Sequence, residues 1–329
     1  MVGPVLATAA VAAAAPGGGI RVPRGYAVSV FARGLAQPTA MAWGPDRRLY
    51  VTQTGGTIVA VDGSRRPRTV ARRLRTPLGL AWRGRTLFVS EQGRLERLEL
   101  RGGRLVGRRV IVSGLPFGLH QQDNVVAGPD GRLYFGNGST CDACREHDRR
   151  SATILSVRPD GHGLRVVASG LRNPYGLAFQ PGTHRLFATV NGQDKLGRWE
   201  PADMLVHVRH GARYGWPTCY PSWRRRRMTG SCRGVTPPAA YLEPHSSADG
   251  LAFWRGDLFV AEWGEYYSER HGRRVVRIQL LPDGRARRVS VFGDGFDHPL
   301  ALAVDRSDAL LVADWGRGVV YRIAARARR

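Results

Sequence analysis

The sequence predicts an all-β chain folded as a six-bladed β-propeller with four-stranded blades, and three observations carry that prediction. A Leu-headed apolar run followed by Gly at a nearly fixed offset occurs six times: Leu49-Tyr50-Val51…Gly55, Leu87-Phe88-Val89…Gly93, Leu133-Tyr134-Phe135…Gly138, Leu186-Phe187-Ala188…Gly192, Leu258-Phe259-Val260…Gly264 and Leu310-Leu311-Val312…Gly316. Each run follows a second apolar stretch, from Ala40-Met41-Ala42-Trp43 in the first copy to Leu300-Ala301-Leu302-Ala303 in the last. A single strand–turn–strand unit buries no core, whereas radial stacking of such units does. The last copy supplies only three strands before the chain ends, and Tyr26-Ala27-Val28-Ser29-Val30-Phe31 alternates as a strand ahead of the first. That N-terminal strand is expected to complete the last blade and close the ring, leaving no sheet edge at the seam.

Taken in order, residues 1–20 read as a signal peptide or disordered N-terminus. Val5 to Ala15 is an apolar stretch, and Ala13-Ala14-Ala15 fits a small-residue cleavage site. The stretch is too short to span a membrane, and no other apolar run approaches that length. The expectation is a secreted or extracytoplasmic protein. Residues 21–329 then form one propeller domain. The marker leucines are spaced 38, 46, 53, 72 and 52 residues apart, which suits four-stranded blades with loop insertions. The blades are placed at 38–75, 77–115, 121–171, 173–243, 247–296 and 298–323 with 25–35. Pro129-Asp130-Gly131, Pro159-Asp160-Gly161 and Pro282-Asp283-Gly284 mark tight turns between strands. The fourth blade carries the main insertion, about 213–244, rich in Pro, Trp and Arg.

A net charge of +24 invites a nucleic-acid partner, but the distribution argues against one. Of the 50 basic residues only Lys195 is lysine, and the arginines are spread over every blade instead of lying on one stripe. The densest runs, Arg224-Arg225-Arg226-Arg227 and Arg326-Ala327-Arg328-Arg329, read as solvated loop and terminus. A polyanion such as an acidic polysaccharide is a minor reading. The four cysteines fall into close pairs, and in an exported chain Cys141–Cys144 and Cys219–Cys232 are the expected disulfides. Zinc on Cys141, Cys144 and His147 is the alternative, without an evident fourth ligand.

Polar residues precede the innermost strands at equivalent positions: His120, Arg172, His245 and His298. Repeat geometry puts them at one mouth of the channel. A histidine there can take a proton from an alcohol, and an arginine can hold an oxyanion or a carboxylate. Three histidines could instead bind a transition metal and support hydrolysis. A second ring stands four residues after each marker Leu: Gln53, Glu91, Asn137, Glu262 and Asp314, with Val190 in the fourth copy. These read as side chains that hydrogen-bond backbone around the channel. Asn191-Gly192-Gln193-Asp194 breaks the pattern with a turn whose carbonyls and carboxylate suit a hard cation such as calcium. The sequence has no nucleophile elbow and no phosphate-cradling loop.

Four motifs in order resemble the soluble quinoprotein glucose/sorbosone dehydrogenase family. They are Leu119-His120-Gln121-Gln122-Asp123 with Gly128-Pro129-Asp130-Gly131, Gly170-Leu171-Arg172-Asn173-Pro174-Tyr175-Gly176, Thr189-Val190-Asn191-Gly192-Gln193-Asp194, and Gly211-Ala212-Arg213-Tyr214-Gly215-Trp216-Pro217. Pro244-His245-Ser246 before Gly250-Leu251-Ala252-Phe253 fits the sorbosone-type branch. The likeness is dense from about 116 to 262. It implies a six-bladed propeller that binds pyrroloquinoline quinone (PQQ) and calcium and oxidises a sugar, sugar aldehyde or related alcohol, passing electrons on to an acceptor. It further implies His120 as the base, Arg172 and Asn173 as cofactor contacts, and the carbonyls of Gly192 and Gln193 as calcium ligands, with Asp194 beside them. His245 and His298 are further cofactor-contact candidates. In the last blades, where glucose-oxidising members carry Lys and paired Arg, this chain reads Glu262-Trp263-Gly264-Glu265 and Gly295-Phe296-Asp297-His298. That departure motivates the competing expectation, a non-catalytic propeller that binds a glycan or a protein.

Overall fold

The computed structural model describes residues 19–62, 66–265 and 271–326. Most of the expected leader, residues 1–18, and the final three residues lie outside the described part. Among the described residues there is no helix, and so none long and apolar enough to cross a membrane.

Six four-stranded antiparallel sheets form the blades. Blade 1 is Pro38–Trp43, Leu49–Gln53, Thr57–Val61 and Pro67–Ala71; blade 2 is Gly79–Arg83, Thr86–Glu91, Arg94–Arg101 and Arg104–Val112. Blade 3 is Gln122–Ala127, Leu133–Asn137, Thr153–Val157 and Arg165–Ser169. Blade 4 is Leu177–Phe179, Leu186–Val190, Ala202–Val208 and Ala240–Pro244, interrupted by a small hairpin, Cys219–Ser222 with Arg227–Gly230. Blade 5 is Ala248–Trp254, Asp257–Glu262, Arg274–Leu280 and Ala286–Gly293. Blade 6 is Pro299–Val304, Leu310–Asp314 and Val319–Ala325, completed on its outer edge by Tyr26–Ala32. The N-terminal strand pairs antiparallel with the C-terminal one, Val28 opposite Ile323 and Val30 opposite Tyr321, so the ring closes as the sequence predicts.

The repeat is visible in the packing. The second strand of every blade is mostly buried, and its marker leucine is fully buried in five blades and 4% exposed in the fourth. The innermost strands touch their neighbours all the way round, blade 6 meeting blade 1 as blade 1 meets blade 2. Hydrophobic clusters fill the wedges between adjacent blades, for example Phe187, Leu205, Leu242, Leu251, Leu258 and Val276 between blades 4 and 5. Burying such apolar area is the main stabilising term, at about 25 cal/mol per Å².

The polar ring also has a clear role in the fold. Gln53 Oε1 accepts the Ala36 N–H at 2.6 Å, Glu91 accepts the Arg75 N–H, and Asn137 Nδ2 donates to the Arg150 carbonyl at 2.9 Å. Asp314 accepts from the N–H groups of Asp297 and His298 at 2.8 and 3.0 Å. Each therefore pins a loop that would otherwise leave backbone groups unsatisfied in a dry interior. Glu262 departs from the pattern, pairing through Oε2 with Arg274 Nε at 2.6 Å. Both expected disulfides are formed, and Cys141 and Cys144 are thereby unavailable as zinc ligands.

Candidate active site

The loop carrying His120 is laced to two others by backbone hydrogen bonds. His120 N–H donates to Ser139 O at 3.0 Å, and Ser139 N–H donates to Arg172 O at 2.7 Å. Gly138 lies where this lacing is tightest, since a Cβ there would overlap His120 Cβ and come within 2.7 Å of Asn173 Oδ1. Blades 3 and 4 thus hold His120, Arg172 and Asn173 against one another.

The hydrogen bonds fix the tautomer of His120. Its Nδ1 lies 3.0 Å from Ser139 Oγ and 3.2 Å from Ser139 O. The Ser139 hydroxyl spends its hydrogen on Cys141 O at 2.6 Å, so both neighbours of Nδ1 are acceptors. Nδ1 therefore carries the proton, and the Nε2 lone pair makes no hydrogen bond within the described residues. Burial, with a smaller contribution from the Arg172 charge, pushes the His120 imidazole down to about 3, so the ring is neutral at ordinary pH.

Arg172 is 4% exposed and paired through Nε and Nη2. Its Nη2 lies 2.9 Å from Asp142 Oδ1 and 2.6 Å from Asp194 Oδ2, and its Nε donates to Asp142 Oδ1 at 3.1 Å. Asn173 Nδ2 donates to Asn191 Oδ1 at 2.8 Å, while Asn173 Oδ1 is buried without a partner, as is the Tyr175 hydroxyl.

These residues border a cavity of about 260 Å³ that His120, Arg172, Asn173, Tyr175, Asp194 and Asp249 help to line. It is continuous, through Leu119, Asp194, His245 and Ser247, with an outer cleft of about 570 Å³ that also reaches Arg198 and Glu265. Space of this size matches small-molecule sites. The wall is acidic: Asp203 and Asp249 are buried there, and burial raises both carboxyls. Asp203 holds the turn in place, accepting Gly192 N–H at 2.8 Å and Ala248 N–H at 3.0 Å.

Of the residues singled out in the sequence, His120, Arg172, Asn173, Gly192, Asp194 and His245 share this cavity. His245, with φ of 54°, bonds through Nε2 to Gly197 O at 2.9 Å. Gln193 borders a smaller neighbouring pocket behind Arg172, and its amide donates to Pro217 O at 3.2 Å. His298 stands apart from the cavity lining, packed against Trp263 at 4.0 Å and Trp315 at 5.8 Å. Within the described residues, His120, His245 and His298 do not gather around one point as a metal centre requires. Asp142, Ser139, Tyr175, Asp203 and Asp249 were not anticipated. Repeat register could have found Tyr175 and Asp249 together with Asp123, because each stands two residues before a buried Leu or Val of an inner strand, Leu177, Leu251 and Val125. Asp142 had no comparable signal.

A family model for glucose/sorbosone dehydrogenase matches residues 35–291. A structure from Thermus thermophilus, assigned as a glucose dehydrogenase, shares 26% identity at a TM-score of 0.76, covering 91% of this chain and 100% of that one. The PQQ-bound aldose sugar dehydrogenase of Streptomyces coelicolor shares the fold at 24% identity and a TM-score of 0.73, over 92% of this chain and 100% of that one. The PQQ domain of Coprinopsis cinerea pyranose dehydrogenase does so at 17% identity and a TM-score of 0.81, over 92% and 96%. An uncharacterized protein of Borreliella burgdorferi is 22% identical over 345 residues, 92% of this chain and 90% of that protein.

Proposed function

The chain belongs to the glucose/sorbosone dehydrogenase family, and from that premise we propose that it is an exported PQQ-dependent oxidoreductase acting on a sugar, sugar aldehyde or related alcohol at the channel mouth. The observation that carries the reading is the convergence of His120, Arg172 and Asn173 on one cleft, with the His120 Nε2 lone pair uncommitted.

The residues fit the polar edge of such a quinone. Arg172 offers a guanidinium edge, and Asn173 Oδ1 and the Tyr175 hydroxyl are buried polar atoms without partners. When bound, the quinone supplies the two-electron acceptor that the side chains lack. His120 is the base: Nε2 takes the substrate hydroxyl proton as the carbon is oxidised, while Ser139 keeps Nδ1–H aimed away. Arg172 would orient the cofactor and polarise its carbonyl, with Asn173 in support. His245 is a further contact at the outer cleft, whereas His298 packs against Trp263 and Trp315.

Asp194 and Glu265 face the same space, so an anionic cofactor gains from a cation beside it. The backbone carbonyls of Gly192 and Gln193 accept no backbone hydrogen bond among the described residues, which suits them to calcium with Asp194 nearby. Export agrees with the two disulfides.

The test is dye reduction by protein reconstituted with quinone and calcium, across a sugar panel, comparing wild type with His120→Ala. The reading requires sugar-dependent turnover that falls at least about 100-fold in the variant. Undiminished turnover in the variant removes His120 as the base. The acidic wall favours one second reading, a propeller that binds a neutral glycan or a basic protein segment without catalysis. Glycan binding by a protein that takes up no quinone would support it.

A further inference from the structure

The two carboxylates on Arg172 are held very differently. Asp142 is fixed. Its Oδ1 accepts from Arg172 Nε and Nη2 and from the Asp194 N–H at 2.9 Å, and its carbonyl accepts from Arg172 Nε at 3.2 Å and Trp216 Nε1 at 2.9 Å. The Cys141–Cys144 disulfide closes the loop on either side of it, and Asp142 lines neither part of the mouth cavity. Asp194 is held by its backbone alone. Its carboxylate makes a single contact among the described residues, Oδ2 to Arg172 Nη2 at 2.6 Å. Its side chain is 57% exposed, and it lines both parts of the cavity. Asp194 therefore stands between the buried guanidinium and the open cleft.

The electrostatics agree with that placement. One cation faces two anions, so the second carboxylate gains less than the first. A mostly exposed partner of this kind is held weakly, in the range of about 0–1 kcal/mol. Exchanging one carboxylate for another leaves Arg172 paired throughout, so no buried charge is exposed during the exchange.

We propose that Asp194 is an internal counter-ion occupying the seat of an anionic ligand group. A carboxylate or similar oxyanion entering from the cleft displaces the Asp194 side chain and takes over Arg172 Nη2, while Asp142 keeps the guanidinium in place. This deepens the proposed function and rests on it only for the identity of the ligand as the quinone.

The experiment keeps the two apart. Wild type, Asp194→Asn, Asp194→Ser and the double variant Arg172→Ala/Asp194→Asn are treated with EDTA, which removes any metal role of Asp194. Each is unfolded thermally across a sodium sulfate series, against sodium chloride at matched ionic strength. General stabilisation by sulfate is common to all four and subtracts out. Both single variants should respond at a sulfate concentration lower than wild type by about threefold or more, the scale of one exposed ion pair. The gain should vanish in the double variant. An identical sulfate response in wild type and both single variants, or a gain that survives the loss of Arg172, overturns the proposal. A separate titration of wild type with quinone and calcium bears on the function alone. Its failure beside a positive sulfate result would remove the quinone and leave the counter-ion.

Discussion

Replacing Gly138 by Ala should inactivate the site while leaving the propeller folded. The backbone of Gly138 lies outside the left-handed region, so contact alone decides the outcome. The new methyl would sit closer to His120 Cβ, by more than about 1 Å, than the ~3.5–4.0 Å at which carbon atoms rest. Asn173 Oδ1, 2.7 Å from the same point, blocks the other direction. The Gly138 N–H bond to Gln121 O at 2.8 Å holds the strand end, so the displacement falls on His120. A misplacement of about 1 Å costs roughly 100-fold in rate, or about 2.7 kcal/mol of transition-state stabilisation. The overpacking itself should cost about 1–3 kcal/mol of stability, which a closed propeller can absorb. The assay pairs kcat/KM for sugar-dependent dye reduction with a calorimetric midpoint. Gly55→Ala is the control, since a Cβ there meets nothing within 4 Å, and both readouts should stay unchanged. A folded Gly138→Ala protein with wild-type kcat/KM would refute the placement of His120 as the base.

Three further predictions concern charge and closure. Asp123 is buried with Oδ2 unpartnered, and burial holds its carboxyl well above the usual range, so its contribution to stability is lost as pH rises above the unfolded carboxylate value. Asp123→Asn should therefore stabilise the protein by about 1–3 kcal/mol at pH 8 and much less at pH 4, as measured by urea unfolding. His120 has the opposite sign: its lowered value makes stability fall as pH drops from about 6.5 toward 3. Proton and nitrogen NMR of the ring at pH 5 should still show the neutral Nδ1–H tautomer. Deletion through Ala32 should strip the outer strand from blade 6, bare the edge of Val319–Ala325 and give an aggregating product by light scattering.

The blades were legible because the repeat is a packing requirement. Leu49, Leu87 and Leu133 must be buried wherever the chain stacks radially, and the period in sequence reports it directly. The partnership of the N-terminal strand with blade 6 followed from counting strands and asking which edge would otherwise stay open. The site was legible where it rides on that same period, as with His120, Arg172 and His245. It was not legible where a loop of irregular length decides the contact. Asp142 sits between two cysteines in a segment without periodicity, and only the folded loop brings it under Arg172. His298 shows the converse: its register matches the others, yet neighbouring tryptophans draw its ring into an aromatic stack away from the cavity.

The most direct measurement is a visible-absorbance titration of the metal-loaded protein with PQQ, run on wild type and Arg172→Ala. The account predicts a saturable spectral change at one quinone per chain that is lost in the variant. Wild-type protein that leaves the quinone spectrum unchanged at saturating calcium, or an arginine variant that binds it equally well, would contradict the claim that this cleft is a quinone site.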